Sequence, residues 1–184
     1  VLTLRMELPD ARYGTPAQML TFQRQSLEAL SALPGAEQAA FSTNLPVQQW
    51  AMRAPFEIAG KPADAQHRPT AQLQITSPNY LNTMRIRLQR GRAFTERDTE
   101  NSQPVAIVNE AFARRFLPNE DPLGKHLRTE RPGAVEQAAG PMVDLEIVGV
   151  IDSVGLGSTK SLAPEIHVPF AQSPYPAGYV SIRA

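Results

Sequence analysis

Cysteine is absent from the 184 residues. The chain can therefore hold neither a disulfide nor a thiolate metal site, and no thiol nucleophile is available. Net charge is absent as well, since 18 Lys and Arg balance 18 Asp and Glu. No global field draws the chain to nucleic acid or to an anionic lipid surface. No run approaches the roughly 18 apolar residues that a membrane-spanning helix needs. Histidine is scarce: His67, His126 and His167 lie far apart, without the local H-x-x-x-H pairing typical of zinc sites.

The composition that remains is that of a globular protein, 42% apolar and 20% charged, with room for one generous domain or two small lobes. Proline is abundant, 17 residues against a usual share of about 5%. The prolines fall mostly between periodic segments and so punctuate many short elements. Val1 already stands in an alternating run, "VLTLRMEL", and the last residues, "YVSIRA", again read as a strand. Because natural termini usually carry loose polar residues, the chain is expected to be a piece cut from a longer protein.

"VLTLRMEL" reads as a half-buried strand. In "TPAQMLTFQRQSLEALSALPG", Thr15 is an N-cap, Pro16 suits the first helical position and Gln18 completes a capping box. Met19, Leu20, Leu27, Leu30 and Leu33 supply the apolar face of that helix, and Pro34-Gly35 end it. "AEQAAFST" follows as a strand, closing a β-α-β unit. "APFEIAG" is a further strand in an otherwise irregular stretch. "TAQLQIT", then "SPNYLNTM" with Ser77 as helix cap, then "RIRLQRG" repeat the β-α-β order. "PVAIVNEAFARRFLP" couples a strand to a helix capped by Asn109, with Phe112 and Phe116 both expected to be substantially buried. "VDLEIVGVI" is the strongest buried strand, and "EIHVPF" and "YVSIRA" are two more. "RTERPGAVEQAAGP" is polar and rich in Gly and Ala, and is expected to be a mobile loop. The class is α+β.

Several stretches invite a chemical reading and fail its requirements. "DSVGLGSTK" follows a strand and ends in Lys160, but a phosphate-binding P-loop needs four residues between its glycines, then Gly-Lys-Ser/Thr and a helix. Here Gly155 and Gly157 stand one residue apart, and "SLAPEIHVP" makes no helix. Glu120 and Asp121 are adjacent in one turn, whereas glycosidic acid pairs face each other across a cleft. No Gly-x-Ser-x-Gly elbow occurs. Arg90 and Arg92 flank Gly91 with Asp98 nearby. They could hold a phosphate, or form a turn in which the carboxylate satisfies a guanidinium. The turn is favoured, because no helix N-terminus stands beside them.

The order of motifs is more telling than any single one. "SPNYLNTMRIRLQRGRAFTERD", "PVAIVNEAFARRFLPNEDPLGKHL" and "LEIVGVIDSVGL" follow one another with short spacers, after an early "LPGAEQAAFSTNLPV". Over nearly the whole chain this resembles the periplasmic core domain of the MacB-like permeases, ABC transporters related to FtsX. The resemblance implies two lobes: a porter-like lobe of β-α-β units at residues 1–44, 70–92 and 179–184, and a second, β-rich lobe at 93–178, with 45–69 as an irregular connection. It implies a location on the periplasmic side of a bacterial inner membrane, inserted between two transmembrane helices of the same chain. The partners it implies are a second permease copy, a cytoplasmic ATPase that binds the ATP, and a periplasmic adaptor, with no nucleic acid. No catalytic, cofactor-binding or metal-binding residue is implied within the domain. Gly91, Arg92, Phe94, Asp98, Asn109, Glu110, Ala113, Arg114, Phe116, Gly124 and Gly149 then read as a structural signature. A free-standing soluble ligand-binding domain and a hydrolase with a long-range site are the competing readings. An insert between membrane helices requires the first and last strands to lie side by side and antiparallel.

Overall fold

The computed structural model describes residues 1–46, 52–61, 67–132, 139–154 and 162–184. Its strands are β1 (Leu2–Glu7), β2 (Gln38–Ser42), β3 (Arg53–Ile58), β4 (Thr70–Thr76), β5 (Leu88–Gly91), β6 (Val105–Asn109), β7 (His126–Pro132), β8 (Ala139–Ile151), β9 (Glu165–Pro169) and β10 (Ala177–Arg183). The helices are α1 (Asp10–Tyr13), α2 (Pro16–Ser31), α3 (Tyr80–Met84) and α4 (Glu110–Phe116). Many strands and few helices make the class α+β, as the sequence implied.

The strands form a single ten-stranded sheet, part of which closes on itself. Going round, β3 pairs with β4, β4 with β9, β9 with β6, β6 with β8, β8 with β7, and β7 with β3 again. The result is a small barrel. Alternate residues point inward, so Phe56, Leu73, Ile75, Ala106, Val108, Leu127, Leu145, Ile147 and Ile166 fill its interior. The other face of β6 is also covered: Val105 and Ile107 join Tyr80, Leu81, Phe94 and Ile151 in a second buried cluster. Burial on both faces is the reason "VAIV" is continuously apolar instead of alternating.

Outside the barrel, β10 lies between β1 and β2, antiparallel to both. This ribbon joins the barrel where Ser42 of β2 faces Thr76 of β4. Helix α2 covers the ribbon. Its start is fixed locally: the Thr15 hydroxyl accepts from Gln18 N–H at 3.4 Å and the Gln18 carboxamide oxygen accepts from Thr15 N–H at 3.2 Å. That capping box contributes on the order of 1 kcal/mol. Met19 is fully buried beneath it, and Leu20, Leu27 and Leu30 pack at the margin. The two regions of core meet where the Phe41 and Phe170 rings approach edge-on at 4.9 Å.

Five local expectations are corrected. Leu2 and Leu4 of β1 are exposed, at 62% and 47%, because β1 is an edge strand and none of the described residues buries them; only Met6 packs against the core. Leu33 lies beyond the last turn of α2 and is likewise exposed. Ser77 does not cap α3; its hydroxyl accepts the Phe41 N–H at 2.9 Å, and the N-cap position falls on Asn79. The flanks of "RTERPGAVEQAAGP" are strands, β7 running up to Pro132 and β8 starting at Ala139. Residues 133–138 of that stretch lie outside the described residues. Phe112 is fully buried, but Phe116 is half-buried, and Leu117 takes the interior position beside it.

Candidate functional site: the paired ends and their anchors

The first and last strands meet along their whole length, with Leu2 facing Ile182 and Glu7 facing Ala177. The chain therefore enters and leaves the fold at one place, antiparallel and side by side. β10 is the inner of the two. Val180, Ser181 and Ile182 are buried, whereas β1 is exposed along almost all its length. Beyond the ladder, Glu37 N–H donates to the Arg183 carbonyl at 2.7 Å, and the Arg183 guanidinium donates to the Thr83 carbonyl of α3 at 2.6 Å. The end of β10 is thus tied to β2 and to α3.

The signature residues gather mainly where β5 crosses onto β8. Gly91 and Gly149 face each other in the β5–β8 ladder. Gly91 has φ +76, and a Cβ there would lie 2.2 Å from the Val148 carbonyl oxygen; at Gly149 it would lie 2.5 Å from the Arg92 carbonyl oxygen. Only a pair of glycines lets these backbones come this close. Next in the chain, Arg92 grips Asp98 through two hydrogen bonds of 2.9 Å, and Asp98 also accepts the Thr95 N–H at 2.8 Å. Burial pushes the Asp98 carboxyl up, but the Arg92 and Thr95 hydrogen bonds and the guanidinium charge outweigh it, leaving it below the usual carboxylate range. The turn they close is capped from inside by Phe94, buried in the second cluster. Gly124, at φ +75, donates its N–H to the Ile147 carbonyl at 2.9 Å and turns the chain into β7.

Asn109 is a second junction. Its Oδ1 accepts from Phe112 N–H at 2.9 Å and from Glu165 N–H at 3.0 Å, while Nδ2 donates to the Ala163 carbonyl at 2.8 Å. One side chain caps α4 and fastens β6 to the start of β9. Along α4, Ala113 packs at the core margin, Phe116 meets Phe56 edge-on at 4.9 Å, and Glu110 and Arg114 form an exposed pair at 3.8 Å.

The other polar residues singled out in the sequence are tied up singly. Arg90 pairs with Asp121 at 2.6 Å, and Asp121 accepts the Leu123 N–H at 3.0 Å. Glu120 lies between Lys125, at 2.7 Å, and Lys61. Asp152 accepts from Arg87 and Gln89, and those hydrogen bonds hold its carboxyl low. The remainder of "DSVGLGSTK", Gly155 to Lys160, lies outside the described residues. His126 meets Asp144 at 2.7 Å, and the buried His167 meets Glu165 at 3.1 Å. Among the described residues no group of three or more His, Asp or Glu is placed to hold a metal ion. No helix of these residues is long and apolar enough to cross a membrane.

Residues 7–184 match the family of the MacB-like periplasmic core domain. The chain belongs to that family. A stretch of 103 residues, 55% of this chain, is 24% identical to the macrolide export ATP-binding/permease protein MacB of Aggregatibacter actinomycetemcomitans, of which the chain spans only 14%. Among solved structures, the periplasmic region of MacB from Actinobacillus actinomycetemcomitans superposes with a TM-score of 0.55 at 17% identity, covering 87% of this chain and 64% of that one. The extracellular domain of the noncanonic ABC-type transporter YknZ from Gram-positive bacteria gives 0.58 at 17% identity, covering 100% and 83%. At such identities the structural likeness is one of fold. The MacB-like domain of this chain is thus a mixed α/β unit shared by transporters of different bacteria.

Proposed function

We propose that the chain is the extracytoplasmic part of an ABC-type permease, passing conformational change from membrane helices to substrate or partner proteins and performing no chemistry of its own. The observation that supports this reading is the pairing of the ends. A domain inserted between two membrane helices must leave the bilayer and return to it at one place, and the β1–β10 ladder supplies such a place. A free-standing receptor has no such obligation, although termini often lie near each other.

Coupling to the rest of the fold is supported by what β10 touches. A displacement of β10 reaches β2 through their ladder, α3 through Arg183 and Thr83, and the barrel through the contact of β2 with β4. In this reading the porter-like lobe comprises residues 1–44, 70–92 and 179–184, the β-rich lobe residues 93–178, and β4 is the seam between them. The glycine crossing and the Arg92–Asp98 turn keep β5 fixed to β8 across that seam. The partners proposed are the flanking transmembrane helices, a second copy, a cytoplasmic ATPase that binds ATP, and a periplasmic adaptor.

The test uses the full-length protein in intact cells and then in membranes. Glu96→Cys, in an exposed turn, is expected to react with a membrane-impermeant maleimide applied from outside. Spin labels at Leu33→Cys, exposed beyond the end of α2, are expected to change their distance between copies when ATP and vanadate trap the ATPase. Labelling only after lysis refutes the location, and an unchanged distance refutes the transmission.

A further inference from the structure

An open cleft of about 740 Å³ separates two walls of the molecule. One wall is α2; the other is the turn at 95–100 with the segment Pro169 to Ala171. The charges on the two walls are complementary and unused. Arg24 lines the cleft from α2, and Glu96 and Glu100 line it from the turn. All three are exposed, and among the described residues none of them is held in an ion pair. Asp98 lines the turn wall too, but Arg92 already neutralises it. Leu20 and Leu27, both half-buried, line the α2 wall, so narrowing the cleft removes apolar surface from water.

Each wall is fixed to its own part of the fold. The turn is tied to the barrel side: Arg92 and the Thr95 N–H hold Asp98, and the Gln172 amide donates to the Thr99 carbonyl at 3.2 Å and the Gln103 carbonyl at 2.9 Å. Helix α2 is tied to the ribbon, where the Ser31 hydroxyl accepts the Ala39 N–H at 3.2 Å and Met19 is buried in the core. The joint between these parts is narrow. β2 meets β4 at the one facing pair Ser42 and Thr76, and Phe170, which lines the cleft, meets Phe41 edge-on at 4.9 Å. Edge-on aromatic pairs hold over centroid separations of about 4.5–7 Å, so this contact tolerates a small rotation.

We propose that the cleft closes by rotation of α2 and its ribbon against the barrel about this joint, with Arg24 latching onto Glu96 and Glu100. Glu28, one turn along α2 from Arg24, also lines the cleft and opposes closure by repelling the same two carboxylates. The device belongs to the fold alone, so it and the permease reading fail by different results.

The test is a pulsed dipolar measurement of the distance between spin labels at Gln25→Cys, on α2, and Asn101→Cys, beside the turn, in the 184-residue chain. Both positions are exposed, and the chain has no cysteine of its own to take a label. Two distances are expected, the shorter belonging to the closed form. Exposed ion pairs shift an equilibrium by a factor of about two to five, so Arg24→Gln is expected to lower the closed-to-open ratio by that factor. Salt at about 1 M, where the screening length falls to about 3 Å, is expected to do the same. Arg24→Glu lowers the ratio further, and Glu96→Arg with Glu100→Arg in the same chain restores it. Glu28→Gln raises it. All the substituted side chains are exposed, so the variants keep the fold, which circular dichroism checks. The proposal is overturned by a single distance that no variant moves, by a ratio indifferent to Arg24→Gln, or by failure of the reversed charges to restore it. A short distance that grows with protein concentration also overturns it, in favour of contact between copies.

Discussion

Replacing Phe112 and Phe116 separately by alanine tests how α4 is seated on the barrel. Phe112 is fully buried and its ring lies 5.0 Å from Phe56. Phe116 is half-buried, yet it touches both rings, at 4.9 Å from Phe56 and 5.1 Å from Phe112. Deleting a buried phenylalanine side chain costs about 3–5 kcal/mol, the transfer term together with the cavity it leaves. For Phe112→Ala that whole range is expected, because the barrel wall beneath it cannot collapse. Phe116 removes about half as much area from water, so Phe116→Ala should cost about 1.5–2.5 kcal/mol. The rings also contact each other, so the double variant should fall short of the sum by about 0.5–1.5 kcal/mol. Urea melts followed by circular dichroism read these differences: at a slope of about 2 kcal/mol per molar urea, Phe112→Ala lowers the midpoint by roughly 1.5–2.5 M. A larger loss for Phe116 than for Phe112, or a loss below about 1 kcal/mol for Phe112, would refute this seating of the helix.

Two further outcomes are expected. Asp98 has its pKa lowered in the folded state, so it contributes stability that is fully present above its unfolded value of about 3.9 and lost as pH falls through the folded value; acid melts of Asp98→Asn should lose that part of the slope below about pH 4, and an unchanged slope would show the Arg92 pair to be idle. Gly35→Ala and Gly91→Ala both place a side chain at positive φ, but a Cβ at Gly35 meets nothing within 4 Å, whereas at Gly91 it strikes the Val148 carbonyl; Gly35→Ala should cost about 1–2 kcal/mol and Gly91→Ala clearly more, and equal losses by thermal denaturation would contradict the close crossing of β5 and β8.

Where signals are local, the sequence could be read almost residue by residue. The Thr15–Gln18 box and the Asn109 cap involve partners three residues away, and both form as the pattern implied. Ser77 shows the opposite case. Its serine-proline start imitates a cap, but the hydroxyl is taken by Phe41, 36 residues earlier in the chain. β7 reads as loop because Arg128 and Glu130 alternate with Thr129, a polar residue that is nevertheless buried and donates its hydroxyl to the Pro55 carbonyl, a partner the local sequence does not show. The alternation of "VLTLRMEL" identifies a strand correctly, but alternation cannot say whether anything covers it. The open space between α2 and the turn at 95–100 was not legible at all, because its two walls are far apart in the chain.

The place of β10 between β1 and β2 also sets an order of events during synthesis. β1 and β2 leave the ribosome early, with a gap one strand wide between them. The strand that fills the gap is made only after every other strand of the fold. Until then the apolar residues Ala39, Ala40 and Phe41, which end up fully buried, have no ladder on that side. The barrel needs no such late arrival beyond β9, so it can close while the ribbon is still open. The nascent domain therefore carries an unpaired pair of strand edges from the emergence of β2 until that of β10, the condition under which chaperone binding and misassociation occur.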